Sequence, residues 1–112
     1  MTTTSAERKA LNENAFREAN EKLERGAHEI VGAEFDSIVP FLCECPRPEC
    51  KEVVSLTFAE YERVRADSRQ GIAKVGHEDP EIEDVVERND RFLMTKKFGR
   101  AGEVHTKTDP RT

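Results

Sequence analysis

The chain has 112 residues, of which 37% are charged and 36% hydrophobic, and its formal net charge is -5. This length and composition allow one domain with a thin apolar core. The excess of acidic residues argues against general binding to nucleic-acid phosphates, and no apolar run approaches bilayer length. We therefore expect no nucleic-acid partner and no membrane association.

The N-terminal part of the chain predicts a long amphipathic helix. Residues 1–5 predict a disordered lead-in, and Thr4 with Glu7 predicts a capping box for a helix that starts at residue 5 or 6 and ends near Gly26. Apolar residues follow one stripe at helical spacing: Leu11, Ala15, Phe16, Ala19, Leu23, Ala27 and Ile30. This stripe predicts the face that covers the core, with docking on a partner helix as the alternative.

The middle of the chain predicts a hairpin followed by a short helix. Residues 38–45 predict the first strand and residues 53–56 the strand that returns beside it, so a cysteine-rich turn caps the hairpin. Thr57 and Glu60 form a second capping box, which predicts a helix over residues 58–66. The inner side of that helix carries Phe58, Tyr61 and Val64.

The C-terminal part predicts a further strand and a second hairpin. Residues 72–75 predict the strand, and Asp79-Pro80 is typical of a helix cap and first helical position. Residues 85–88 and 91–97 flank Asn89-Asp90, two residue types that tolerate a left-handed backbone, and therefore predict a hairpin.

These elements predict an α+β fold over residues 6–98. We expect an N-terminal amphipathic helix on a small antiparallel sheet that carries a metal-binding hairpin, with a second short helix and a C-terminal hairpin. Residues 99–112 are polar and predict a disordered tail in which His105 is solvated.

All three cysteines lie at the turn end of the first predicted hairpin. Cys43 and Cys45 are alternate residues of an extended strand and share a face, and the four residues that follow Cys45 turn the chain so that Cys50 returns to them. His77 follows a strand and a glycine, and it completes the Cys3His set of a closed structural zinc site. We predict one Zn2+ bound by Cys43, Cys45, Cys50 and His77.

These residues have several other interpretations. The first residues lack a secretory signal, so we expect a cytoplasmic protein whose thiols stay reduced, which argues against disulfides. Thiols that are buried only for packing prefer apolar neighbours, and the spacing does not match the common four-cysteine iron–sulfur runs. A redox-active thiol group stays open as an alternative, as do Glu44, Glu49 or water as the fourth ligand.

Several segments resemble a family of short uncharacterised bacterial proteins, most of them actinobacterial. The resemblance covers residues 12–97 and lies in residues 12–21, the C-E-C-x4-C run from Cys43 to Cys50, residues 60–67, Gly76-His77-Glu78 and residues 85–92. Family members often have glycine where this chain has Pro46, and proline where it has Val75. The resemblance implies one site made of the cysteines and the histidine, and it does not indicate which function the chain has.

The sequence predicts a binding role and no catalysis. It contains no nucleophile elbow and no glycine-rich phosphate loop, and each cysteine is better explained as a metal ligand than as a nucleophile. We therefore expect a zinc-binding module for protein–protein interaction or regulation, whose partner is another protein or a second copy of the chain. A redox or zinc sensor, and a small metalloenzyme, are the alternatives.

Overall fold

The structure is a computed structural model that describes residues 4–31 and 37–111. It contains α1 (Ser5–Val31), β1 (Ile38–Leu42), β2 (Val53–Thr57), α2 (Phe58–Arg65), β3 (Gln70–Ala73), β4 (Glu83–Arg88), β5 (Leu93–Lys97) and α3 (Gly99–Lys107). The predicted lead-in lies mostly outside the described residues. None of the helices in the described part is long and apolar enough to cross a membrane.

The strands form two antiparallel sheets. Strands β1 and β2 pair as the predicted hairpin, and β3, β5 and β4 form a second sheet in that order. The main core contains residues from both sheets and α2, with the rings of Phe41 and Tyr61 stacked at 4.3 Å between centroids. The predicted α+β class, with an N-terminal helix on antiparallel strands, is confirmed.

Helix α2 begins at the predicted capping box. The hydroxyl of Thr57 accepts a hydrogen bond from the Glu60 N–H at 3.1 Å, and the Glu60 carboxylate accepts one from the Thr57 N–H at 2.8 Å. Both groups would otherwise be unpaired at a helix N-terminus. The predicted inner residues of the helix are all buried: Phe58, Tyr61 and Val64.

Two predicted helix boundaries are wrong. Helix α1 continues through Gly26 to Val31, since one glycine in a helix costs only about 1 kcal/mol. Asp79-Pro80 starts no helix. The Asp79 carbonyl accepts hydrogen bonds from the N–H groups of Ile82 and Glu83, which makes one turn, and β4 begins directly after it because Glu83 pairs with Lys97 of β5.

The prediction of a disordered tail from residue 99 is also wrong, because α3 forms there and packs on α1. Ala101 and Val104 join Ala10 and Ile82 in a small apolar cluster. His105, which was expected to be solvated, is fully buried. The N-cap residue of α3 is a phenylalanine with no side-chain capping bond, so the sequence carries no start signal for this helix.

The face of α1 that packs against the rest of the domain is polar. Its buried residues are Ala10, Glu13, Asn14, Arg17, Asn20, Glu21 and Glu24. On the predicted apolar stripe, by contrast, Leu11 is 47% exposed, Leu23 is 42% exposed and Ala15 is exposed. Ala27 packs partly against the core, and the side chain of Ile30 lies outside the described part of the chain. The prediction that this stripe covers the core is therefore wrong.

Buried ion pairs explain the orientation of α1. The Lys97 ammonium is fully buried, with Glu13 Oε1 at 2.5 Å, Glu83 Oε1 at 2.9 Å and Thr95 Oγ1 at 2.9 Å. Burial alone would lower the pKa of Lys97, but the two carboxylates outweigh it and raise that pKa. Because a buried ammonium is costly without paired anions, Glu13 must face inward.

Arg17 and Asn20 connect the same face of α1 to distant parts of the chain. The buried Arg17 guanidinium donates to the Ser68 carbonyl at 2.7 Å and to the His105 carbonyl at 2.9 Å. The Asn20 amide donates to the Leu42 carbonyl at 2.9 Å and accepts from the Leu42 N–H at 2.7 Å. Asn20 thus fixes α1 to the end of β1, where the cysteine turn begins.

We predict that Lys97→Met destabilises the protein by about 3–5 kcal/mol, because it leaves Glu13 and Glu83 buried without a cation. Lys96→Met is the matched control. Lys96 is half-exposed on the same strand and pairs with Asp67, and such a surface pair contributes at most about 1 kcal/mol. Urea unfolding of both variants measures the difference, and equal losses would contradict the role given to the buried ammonium.

Candidate metal centre

The cysteine turn extends the hairpin of β1 and β2. The Cys43 N–H donates to the Glu52 carbonyl at 3.0 Å, which continues the pairing beyond Leu42 and Val53. The Cys50 N–H donates to the Arg47 carbonyl at 3.1 Å and closes the turn. The chain therefore leaves β1 through two cysteines and comes back to β2 through the third.

The end of β3 places His77 beside this turn. The Glu44 N–H donates to the Ile72 carbonyl at 2.8 Å, so β3 lies next to the first two cysteines. After β3, Gly76 adopts φ +93°, a left-handed conformation that other residues rarely adopt, and the His77 N–H donates to the Lys74 carbonyl at 2.9 Å. This tight turn directs the imidazole towards the sulfurs.

The structure brings the four predicted residues together. One donor atom from each of Cys43, Cys45, Cys50 and His77 lies within 4.8 Å of the others. His77 Nδ1 is 3.6 Å from both Cys43 Sγ and Cys50 Sγ, and all three cysteines are free. A group of three sulfurs and one nitrogen at this spacing could hold a metal ion.

Backbone N–H groups face each sulfur. The Lys74 N–H donates to Cys43 Sγ at 3.3 Å, and the N–H groups of Arg47 and Glu52 donate to the other two sulfurs. Hydrogen bonds of this kind stabilise the negative charge of a thiolate, which is the form that binds metal. The surroundings of the sulfurs are thus suited to a ligand set and not only to packing.

The three cysteine thiols differ in pKa. The hydrogen bond from Cys43 lowers the pKa of Cys45 to about 4, and His77 acts in the same direction. Donating that bond, together with burial, raises the pKa of Cys43. Burial also raises the pKa of Cys50. Cys45 is therefore the sulfur on which negative charge is most stable.

The four residues differ in their access to solvent. Cys43 is 1% exposed and Cys45 is 0% exposed, whereas Cys50 and His77 are only partly buried. The cluster thus has an inner edge, made by the first two cysteines, and an outer edge made by Cys50 and His77.

The alternative ligands lie elsewhere. Glu44 points to the opposite side of the extended chain, where its carboxylate accepts from the Asn20 amide at 2.7 Å and from the Ile72 N–H at 3.3 Å. Glu49 is exposed on the turn, and His28, a histidine of α1 that was not a predicted ligand, stacks on Phe58 with 3.9 Å between ring centroids. None of these three belongs to the group of donors within 4.8 Å.

Two supporting residues escaped the sequence analysis. The Asn12 amide donates to the Pro46 carbonyl at 3.2 Å and so holds the turn from the side of α1, and Lys74 supplies the N–H bound to Cys43. A backbone donor carries no sequence signal, and Asn12 gave none either, because its contact spans 34 residues.

The chain was compared with protein-family models, with curated proteins and with solved structures, and none of the three comparisons found a match. The resemblance to short bacterial proteins stays a prediction. Any statement on function therefore depends on the geometry alone.

Proposed function

We propose that the protein binds one Zn2+ through Cys43, Cys45, Cys50 and His77. The distances support this ion. With Zn–S bonds of about 2.3 Å and Zn–N bonds of about 2.0–2.1 Å, a tetrahedral site separates its nitrogen from each sulfur by about 3.6 Å. The two sulfur–nitrogen distances at His77 are both 3.6 Å.

The proposed ion has a structural role. Four protein ligands complete a tetrahedral zinc site and leave no position for a substrate. The ligands come from the β1–β2 hairpin and from the turn after β3, so the ion links the two sheets of a domain with a thin core. Structural zinc binds with about 10 kcal/mol or more at neutral pH, which is comparable to the whole stability of a small domain.

We further propose that the zinc-stabilised domain acts by binding a protein through the outer face of α1. Leu11, Ala15, Ala19 and Leu23 follow this face at intervals of four residues, and the two leucines are each more than 40% exposed. Beside Leu23 lies an apolar groove of about 320 Å³, lined by Lys22, Leu23, Gly26, Ala27, Val39 and Pro40. An apolar row next to an apolar groove is typical of a contact surface.

A second copy of the chain fits this surface. The order Leu-Ala-Ala-Leu is the same in both directions, so two antiparallel copies place Leu11 of one against Leu23 of the other, twice, about a two-fold axis. Small alanines at the centre allow the two helices to approach closely, as rows of residues four apart do when helices pack. Leu11 of each copy would then reach the groove beside Leu23 of the other.

The zinc proposal predicts one zinc ion per chain in protein purified without added metal. Cys45→Ser should abolish stoichiometric zinc, and His77→Ala should weaken binding less because water can take the fourth position. Glu49→Gln, in the same turn, is the control and should keep full metal content. Mass spectrometry of metal content measures all four proteins, and full zinc in Cys45→Ser would contradict the assignment.

The interaction proposal predicts a dimer by analytical ultracentrifugation. Leu23→Asp should give a monomer, because it places a charge in the apolar contact. Val86→Asp is the matched control, since Val86 is 49% exposed on β4, away from α1. A wild-type monomer, or equal effects of the two variants, would contradict self-association through α1.

A further inference from the structure

We propose that Cys50 is a site of oxidation by hydrogen peroxide, and that the oxidised Cys50 forms a disulfide with Cys45 and releases the zinc ion. This inference rests on the proposed zinc site and gives that site a regulatory use. It depends on which sulfur is accessible and on which sulfur lies opposite it in the hairpin.

Solvent exposure favours Cys50 as the cysteine that peroxide oxidises first. Of the three sulfur ligands, Cys43 and Cys45 belong to residues that are at most 1% exposed, whereas Cys50 is partly exposed at the outer edge of the cluster. The residues around it on the turn, from Arg47 to Glu49, are exposed as well. Oxidation of cysteine follows thiolate character and exposure, and zinc binding holds the sulfur as thiolate.

The hairpin register selects Cys45 as the partner of Cys50. Strand pairing sets Leu42 opposite Val53, and the Cys43 N–H to Glu52 carbonyl bond extends it by one residue. Continued by two more residues beyond this last bond, the same register would set Cys45 opposite Cys50, and the two sulfurs lie within 4.8 Å of each other. Opposite residues of a hairpin have Cα atoms about 4.5–5.5 Å apart, which lies within the range of disulfides.

The other pairings are less suitable. A bridge between Cys43 and Cys45 joins residues i and i+2 of an extended segment, whose Cα atoms are about 6.5 Å apart, at the upper end of the range found in disulfides. Cys43 is also held by the Lys74 N–H on the side of β3. Cys45 and Cys50, in contrast, close a loop that contains only the four residues of the turn.

The reaction balances as one two-electron oxidation of sulfur followed by a substitution at the oxidised sulfur. The Cys50 thiolate attacks one oxygen of hydrogen peroxide, so that an S–O bond forms, the O–O bond breaks and hydroxide leaves. The Cys45 thiolate then attacks the Cys50 sulfur, so that the S–S bond forms and a second hydroxide leaves. Two thiolates are oxidised and one peroxide is reduced. Zinc keeps only Cys43 and His77, and it dissociates.

The test uses zinc-loaded, reduced wild-type protein and equimolar hydrogen peroxide in the absence of air. A chromophoric chelator should report release of one zinc per chain, and a thiol reductant with added zinc should restore binding. A protease that cleaves after glutamate separates the three cysteines, because Glu44 and Glu49 lie between them. Mass spectrometry should then find a bridge between Cys45 and Cys50 with Cys43 reduced.

Cys50→Asp provides the matched variant, since a carboxylate can bind zinc but cannot be oxidised by peroxide. Zinc release from this variant should be at least about tenfold slower than from wild type, because its two remaining thiolates are buried. Release at the wild-type rate would overturn the assignment of Cys50. If the variant binds no zinc, the disulfide found in wild-type protein tests the proposal instead. A bridge between Cys45 and Cys50 supports it, and a bridge that includes Cys43 overturns it.

The outcomes separate the two proposals. Protein that contains no zinc before treatment contradicts the proposed metal site itself. Zinc that stays bound after peroxide, or a bridge that includes Cys43, leaves the metal site intact and overturns only the redox inference.

Discussion

The buried ammonium of Lys97 constrains how α1 lies on the rest of the protein. Its charge requires carboxylates, and Glu13 of α1 supplies one of them while Glu83 of β4 supplies another. Once Glu13 faces inward, the periodicity of the helix fixes every other residue of α1. Arg17 and Asn20 then also face the protein, and Leu11 and Leu23 face solvent.

The orientation of α1 in turn supports the cysteine hairpin. Asn20 makes two hydrogen bonds with the backbone of Leu42, one residue before Cys43, and Asn12 holds the turn at Pro46. Glu44, between the first two cysteines, points into the same buried polar region through its bond to Asn20. The alternation of side chains along the extended segment therefore gives one face to polar contacts with α1 and the other face to the sulfur cluster.

Local sequence signals predicted much of this arrangement. The Thr57–Glu60 capping box and both hairpins depend on residues close together in the chain, and the grouping of the three cysteines with His77 followed from ligand type and strand alternation.

The orientation of α1 could not be predicted in this way. Apolar periodicity indicates the buried face only where burial is apolar, and here the contacts of Glu13 and Arg17 join residues more than 50 positions apart. Their spacing of four is otherwise typical of an exposed ion pair. Helix α3 was missed because Phe98 gives no capping signal and its apolar face is only two residues wide.

The two hydrogen bonds between Asn20 and Leu42 have a thermodynamic consequence. Asn20 contacts the hairpin on the inner face of α1, while Leu23, one turn further along the same helix, lies on the outer face. An ion that orders the hairpin and a partner that binds the outer face would therefore act on one rigid element. Thermodynamic linkage is reciprocal. If zinc increases the affinity for a partner by a given factor, that partner increases the affinity for zinc by the same factor. In a cell with little free zinc, the occupancy of the site would then report how much of the partner is present.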